Sequence, residues 1–324
     1  MDKAFLKKKA AGWLAAFSAD RLITSIYKRK ACVLLFHRIG STGSPLWPSL
    51  SSDAFRKILR YVKKEYRIVS ISEYAEARLS GERVVSISFD DGFRDFYTHA
   101  WPILQEEGIS CVNHNLIPTC IETGIPPWTS ILHARMEASK KQGEDIQFSR
   151  KDGVLLSFQV GKEGAAPCYQ QLYTALCQAS LSDVSHFIEE QLMPFAAALS
   201  LPDMMNASEI RELIKEGMEI GAHSYSHLML HQCQDKTVLN REVIEAKSYL
   251  EQKFDGSCTC FAFPNGICDP DSLAAVKAAG YKQILMAGMV YPWMDAEDRQ
   301  IIQRTSVHHE DHAVNRLRIA LQAP

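Results

Sequence analysis

The sequence predicts an α/β fold, either a parallel sheet or a (β/α) barrel, on two observations. Short apolar runs alternate with stretches of helical periodicity along most of the 324 residues, and glycine or aspartate stands at many junctions. Residues 32–36, 84–89, 111–113, 218–222, 258–263, 283–286 and 301–307 read as strands. Residues 54–64, 72–79, 96–107, 238–254 and 272–279 read as the helices between them. One stretch, residues 123–206, breaks the rhythm. It holds a hairpin signal at Lys151-Asp152-Gly153 followed by helical runs at 168–178 and 184–199, and is expected to be a largely helical insertion between two strands. An addition of that length is expected to shape substrate choice, leaving the chemistry to the main domain.

Composition excludes several classes. A formal net charge of −2 creates no field to gather nucleic acid. The nine cysteines are irregularly spaced and include no C-x-x-C pair, so neither a zinc knuckle nor a thioredoxin-like motif is present. An odd count without a framework suits a reducing compartment, and the chain is expected to be cytoplasmic.

Residues 1–30 form a separate expectation. Lys7, Lys8 and Lys9 precede an apolar run too short to span a bilayer and lacking a small-residue cleavage site. Phe5, Trp13, Leu14, Phe17, Ile23 and Ile26 fall on one face of a helix. Two readings stand: a helix packed on the domain that follows at 31–324, or one making peripheral contact with a membrane surface.

Two short segments carry chemistry. In Ser86-Ile87-Ser88-Phe89-Asp90-Asp91-Gly92 an apolar strand ends in adjacent carboxylates and a glycine. Strand ends form the active face of α/β folds, although Asp-Gly also simply closes strands. In His223-Ser224-Tyr225-Ser226-His227 two histidines stand four apart, which puts both on one side if the segment turns helical. Ser224 occupies the place of the zincin glutamate, so this is not a metalloprotease signature. Together, one aspartate and two histidines supply the three protein ligands of a catalytic zinc with an open fourth position. The second carboxylate is then placed to take a proton from water.

These residues resemble the polysaccharide deacetylases of the NodB-homology type (carbohydrate esterase family 4). The family's T/S-F-D-D-G motif is matched by Ser88 to Gly92, and its H-S/T-x-x-H motif by His223 to His227. A third, F-x-Y/F-P-Y-G, is approached by Phe261-Ala262-Phe263-Pro264-Asn265-Gly266. The resemblance implies a distorted (β/α) barrel, a divalent metal (most often Zn²⁺), and hydrolysis of N-acetyl groups on amino-sugar units of a polysaccharide or glycan precursor. It assigns Asp90 as general base, and Asp91, His223 and His227 as metal ligands. Backbone at Pro264 and Asn265 would stabilise the oxyanion. Asparagine at 265 replaces a tyrosine common in the family, which keeps a backbone N–H and removes a side-chain contact.

The general acid has two candidate positions. The family's exopolysaccharide-modifying members carry it near the start, in a strand ending Y/F-H, and Val33-Leu34-Leu35-Phe36-His37 is similar to that form. Others carry it near the end, where His308 and His309 stand in an acidic, histidine-rich run. Arg304 is the candidate to orient Asp90, with a surface arginine as the alternative. The expected partner is a glycan substrate. Two other readings are a deformylase or deacetylase of a lipid-linked sugar and a non-catalytic carbohydrate-binding protein; the full set of catalytic residue types counts against the last.

Overall fold

The structure is a computed structural model that describes residues 31–321 except 41–42, 232–234, 289–290, 296, 308 and 310–311. The expected helix in residues 1–30 lies outside the described residues, as does His308. The described residues include ten strands: β1 (Ala31–Phe36), β2 (Arg67–Ile68), β3 (Val84–Asp90), β4 (Val112–Leu116), β5 (Ile146–Ser149), β6 (Leu155–Phe158), β7 (Glu219–Ala222), β8 (Cys260–Ala262), β9 (Gln283–Ala287) and β10 (Ile301–Ser306). β1 pairs in parallel with β10 on one side and with β3 on the other, which closes the order β1-β10-β9-β8-β7-β4-β3 into a barrel. Two-residue β2 is appended to β3. This is the distorted (β/α) barrel expected from the sequence.

Period-2 alternation sorts the strand residues. On β3, Val85, Ile87 and Phe89 point outward into the main core. There they meet Phe55, Ile58, Leu59 and Val62 of helix α1 (Ser52–Glu65), whose i, i+3, i+4, i+7 stripe is its buried face. The intervening Ser86, Ser88 and Asp90 therefore face the barrel interior. Helix α2 (Ile71–Ala77) covers the end where the strands begin. Its Ile71 and Tyr74 pack with Val33, Val84, Cys260 and Ile302, and Glu219 accepts a hydrogen bond from the Ile71 N–H at 3.0 Å. With that end covered, the polar interior opens toward the C-terminal ends of the strands.

Between β4 and β7 the chain leaves the barrel. Helices α3 (Trp128–Gln142) and α4 (Ala165–Gln178) and the antiparallel β5–β6 hairpin surround a second core that includes Trp128, Leu132, Phe148, Leu172 and Phe187. Leu228 and Met229, which directly follow His227, belong to that same core. Helix α5 (Ala207–Lys215), capped by Asn206 with Glu209 reaching back, returns the chain to the barrel. Among the described residues, no helix is long and apolar enough to cross a membrane.

Candidate active site

Asp90 is the last residue of β3, and the strand's alternation turns it inward. Arg304, two residues after inward-facing Ile302 on β10, meets it with a two-pronged contact: Nη1 donates to Oδ1 at 2.7 Å and Nη2 to Oδ2 at 2.8 Å. Asn115 Nδ2 donates to the same Oδ1 at 2.7 Å. Both partners of the ion pair are buried, and such a fork fixes a carboxylate plane more firmly than a single contact does. Burial raises the Asp90 carboxyl, but the Arg304 guanidinium together with His223 and His37 outweighs it and holds the group well below the usual carboxylate range. Asp90 therefore stays ionised. Arg304 is thus the partner of Asp90 and not a surface residue.

Asn115 was not foreseen. Strand β4 runs to Leu116 through Asn113, His114 and Asn115, where the sequence suggested an end at 113 because the apolar pattern stops. Ser88 joins this polar interior, accepting from Arg304 Nη1 at 3.1 Å and from Asn115 Nδ2 at 3.2 Å. Gly221 on neighbouring β7 leaves room for it; a Cβ there would overlap the Asn115 side chain.

Beyond Asp90 the backbone turns sharply, with φ of 77° at Asp91 and 85° at Gly92. A left-handed aspartate is uncommon and is held here by its surroundings. The Gly92 N–H donates to His114 Nε2 at 3.1 Å, and His114 is itself wedged between Phe89 and Phe96. Burial pushes His114 down to about 4, so the ring is a neutral acceptor. The turn brings the Asp91 carboxylate beside the two histidines.

His223 and His227 converge, but not on a helix. The segment after β7 is a loop, with left-handed φ of 56° at Ser224 and 60° at His227. The helical spacing argument is corrected to this extent: two backbone reversals achieve the convergence. Buried Glu242 holds the intervening turn, accepting from the Tyr225 N–H (3.0 Å), the Ser226 N–H (2.9 Å) and the Ser226 hydroxyl (2.8 Å). Trp128 Nε1 donates to the His227 carbonyl at 2.9 Å. That indole opens α3, inside the stretch expected to govern substrate choice alone. The expectation was too narrow, because the stretch also braces a candidate ligand.

Ligand atoms of Asp91, His223 and His227 lie within 4.8 Å of one another. His223 Nδ1 lies 2.7 Å from the Ala262 carbonyl, so that nitrogen carries the proton and Nε2 presents a lone pair. Burial pushes His223 down to about 4, against the pull of Asp90. Its Nε2 stands 3.5 Å from Asp91 Oδ1, and His227 Nε2 stands 3.3 Å from the same oxygen. That oxygen is buried without a hydrogen-bond donor. Ligand atoms about 2.0–2.1 Å from a tetrahedral zinc stand roughly 3.3–3.4 Å apart. A carboxylate oxygen facing imidazole lone pairs at that spacing fits a divalent cation, which satisfies all three.

These groups line a cavity of about 350 Å³ together with His37, Asn265 and Arg304. His37 follows β1 directly and meets Trp47 edge-on at 4.9 Å. Burial lowers it below the usual imidazole value, against the opposing pull of Asp91 and Asp90. Asn265, in the turn after Pro264, adopts a left-handed φ of 55°, which asparagine tolerates better than most residues. In the C-terminal run, His309 is exposed and His312 packs against Tyr61 of α1. Further walls come from residues that carried no signal in the sequence, among them Trp47, and Thr129, His133, Tyr169 and Tyr173 from α3 and α4.

The family model described as polysaccharide deacetylase matches residues 148–284. That span contains the histidine motif and the Phe261–Gly266 turn but not Asp90 and Asp91, which the fold brings to them. No curated protein matches the chain. Among solved structures, the Streptococcus pyogenes deacetylase PplD in complex with acetate is similar at 18% identity and a TM-score of 0.57, over 90% of this chain and 99% of that one. IcaB from Ammonifex degensii is similar at 16% identity and a TM-score of 0.56, over 90% and 97%. A de-N-acetylase from Aggregatibacter actinomycetemcomitans is similar at 13% identity and a TM-score of 0.53, over 87% and 96%. The family model spans 137 of the 324 residues, and over that span, as in the closed parallel barrel and the motifs gathered at its open end, the chain is similar to the polysaccharide deacetylases.

Proposed function

We propose that the chain is a metal-dependent N-deacetylase acting on N-acetylated amino-sugar units of a glycan. The observation that carries this reading is one cavity holding both an Arg304-fixed carboxylate and a convergent Asp91/His223/His227 set. Those three residues would hold the ion, and two imidazoles with one carboxylate suit zinc. Once bound, such an ion supplies Lewis acidity and lowers the pKa of water at its open position.

The chain's own groups divide the remaining work. Asp90 is the proton acceptor: Arg304 and Asn115 keep it ionised and aimed, with Oδ2 3.7 Å from His223 Nε2 and so next to the ligand set. His37 is the donor to the departing amine. Its lowered pKa makes the imidazolium a stronger acid when it gives up its proton. The Asn265 backbone N–H is assigned to the oxyanion, where a fixed dipole costs no reorganisation during reaction; Pro264, which has no N–H, sets the turn that presents it.

Zinc-loaded protein should release acetate from N-acetylated oligosaccharides, and a parallel series of N-formylated sugars reads out the acyl preference. His37→Ala should keep its metal and lose roughly 10²–10⁴-fold in turnover, the usual worth of acid catalysis. Near-normal turnover in that variant would transfer the donor role elsewhere. No acid release from any substrate would end the enzymatic reading.

A further inference from the structure

The turn that carries the Asn265 N–H is an uncommon piece of backbone. Asn265 and Gly266 are both left-handed, with φ of 55° and 68°. Two such residues in succession persist only where their surroundings hold them. Strand β9 supplies one hold: the Phe263 N–H donates to the Leu285 carbonyl at 3.2 Å, and a Cβ on Gly266 would overlap the Ala287 carbonyl oxygen. Tyr291 supplies another. Its hydroxyl donates to the Gly266 carbonyl at 3.2 Å and accepts from the Cys268 N–H at 3.4 Å. Burial raises the phenol above its ordinary value, so the hydroxyl keeps its proton through the neutral range.

Tyr291 is itself anchored. With Met294 it packs against the main core, its carbonyl accepts from the Met294 N–H at 3.1 Å, and Trp293 lies 5.2 Å from its ring between centroids. It is not a wall of the catalytic cavity, so it reaches the turn from behind.

The hydrogen bonds all run in one direction. The Gly266 carbonyl and the Ile267 N–H are opposite ends of one planar peptide unit, and that N–H donates to the Pro264 carbonyl at 3.1 Å. The Pro264 carbonyl and the Asn265 N–H are opposite ends of the next unit. Fixing one end of a rigid planar unit fixes the direction of the other. A donor at the head of such a series also polarises each peptide in turn, which makes the last N–H a stronger donor. The series therefore begins at the Cys268 N–H, passes through the Tyr291 hydroxyl and two peptide units, and ends at the Asn265 N–H.

We propose that Tyr291 is a positioning residue for the reaction: through this relay it aims and strengthens the Asn265 N–H that meets the oxyanion, without touching the substrate. The inference rests on the deacetylase reading and on the place that reading gives to Asn265.

Tyr291→Phe keeps the ring and removes the hydroxyl. The test compares zinc-loaded full-length protein and this variant on the N-acetyl and N-trifluoroacetyl forms of one glucosamine oligosaccharide, measuring acid release. A trifluoroacetyl oxyanion is far less basic, and a less basic oxygen gains less from a hydrogen-bond donor. On the acetyl substrate kcat should fall about 10- to 100-fold with KM unchanged, a share of the roughly 10²–10³ that a whole oxyanion donor supplies. On the trifluoroacetyl substrate the loss should shrink to about threefold or less. Zinc content and circular dichroism should match the wild type. An unchanged kcat, an equal loss on both substrates, or a loss carried by KM would overturn the assignment and leave deacetylation intact. So would unfolding or zinc loss in the variant, since the hydroxyl would then serve the framework and not the oxyanion. Failure of the wild-type protein to release acid from either substrate would instead bring down the reading beneath it.

Discussion

Asp90→Asn should retain its bound metal and lose about 10²–10⁴-fold in kcat/KM, because it removes a proton acceptor and no ligand. The exchange preserves the side chain's shape, and Oδ1 can still accept from Asn115 and Arg304. What disappears is the negative charge facing the fully buried guanidinium. Removing one partner of a buried pair costs about 3–5 kcal/mol of stability. The variant should therefore melt at a lower temperature, and its metal content is best measured well below that transition. Asp91→Asn gives the necessary contrast: it removes the oxygen that stands 3.3 Å from His227 Nε2 and 3.5 Å from His223 Nε2, so metal should go with it. Equal metal loss in the two variants would mean that base and ligand have been assigned the wrong way round.

His223→Ala should lose most of its bound metal and with it essentially all turnover. The imidazole contributes an Nε2 lone pair, and its Nδ1–H anchors the ring to the Ala262 carbonyl on β8. Neither function can pass to another group, since the turn after β3 and the loop after β7 hold Asp91 and His227 in fixed places. The barrel around the site does not depend on the ring, because its closure comes from backbone pairing of β1 with β3 and β10. Circular dichroism should accordingly be unchanged while elemental analysis shows the metal gone. Full stoichiometric metal in this variant would refute the ligand set.

The residues most legible in the sequence are those whose position follows from a strand. Asp90 and Arg304 each sit on an inward-facing strand position, and period-2 alternation is enough to send both into the barrel. Their contact is long-range, yet the closed sheet makes it inevitable. The convergence of His223 and His227 was visible as a spacing, but its cause was not: two left-handed residues in a loop replace the anticipated helical turn. Backbone reversals at non-glycine positions leave no pattern in a sequence. Buried polar support was the least visible. Asn115 and His114 lie in a strand whose apolar signal ends too early, and Glu242 looks like any charged helix residue until the Tyr225–Ser226 turn is seen against it. The same holds for Tyr169 and Tyr173, which reach the cavity, and for Trp128, which holds the His227 carbonyl, all from a stretch that carries its own core. Only packing against the barrel turns their aromatic rings into walls and braces of the site.

The central claim is that Asp91, His223 and His227 form a metal centre on which deacetylation depends. Zinc titrated into protein stripped with a chelator, with acetate release from an N-acetylated oligosaccharide followed at each addition, tests it most directly. Acetate release should be lost on stripping, return in proportion to added zinc and saturate at one ion per chain. Undiminished release from the stripped protein, or saturation without any return of release, would contradict it.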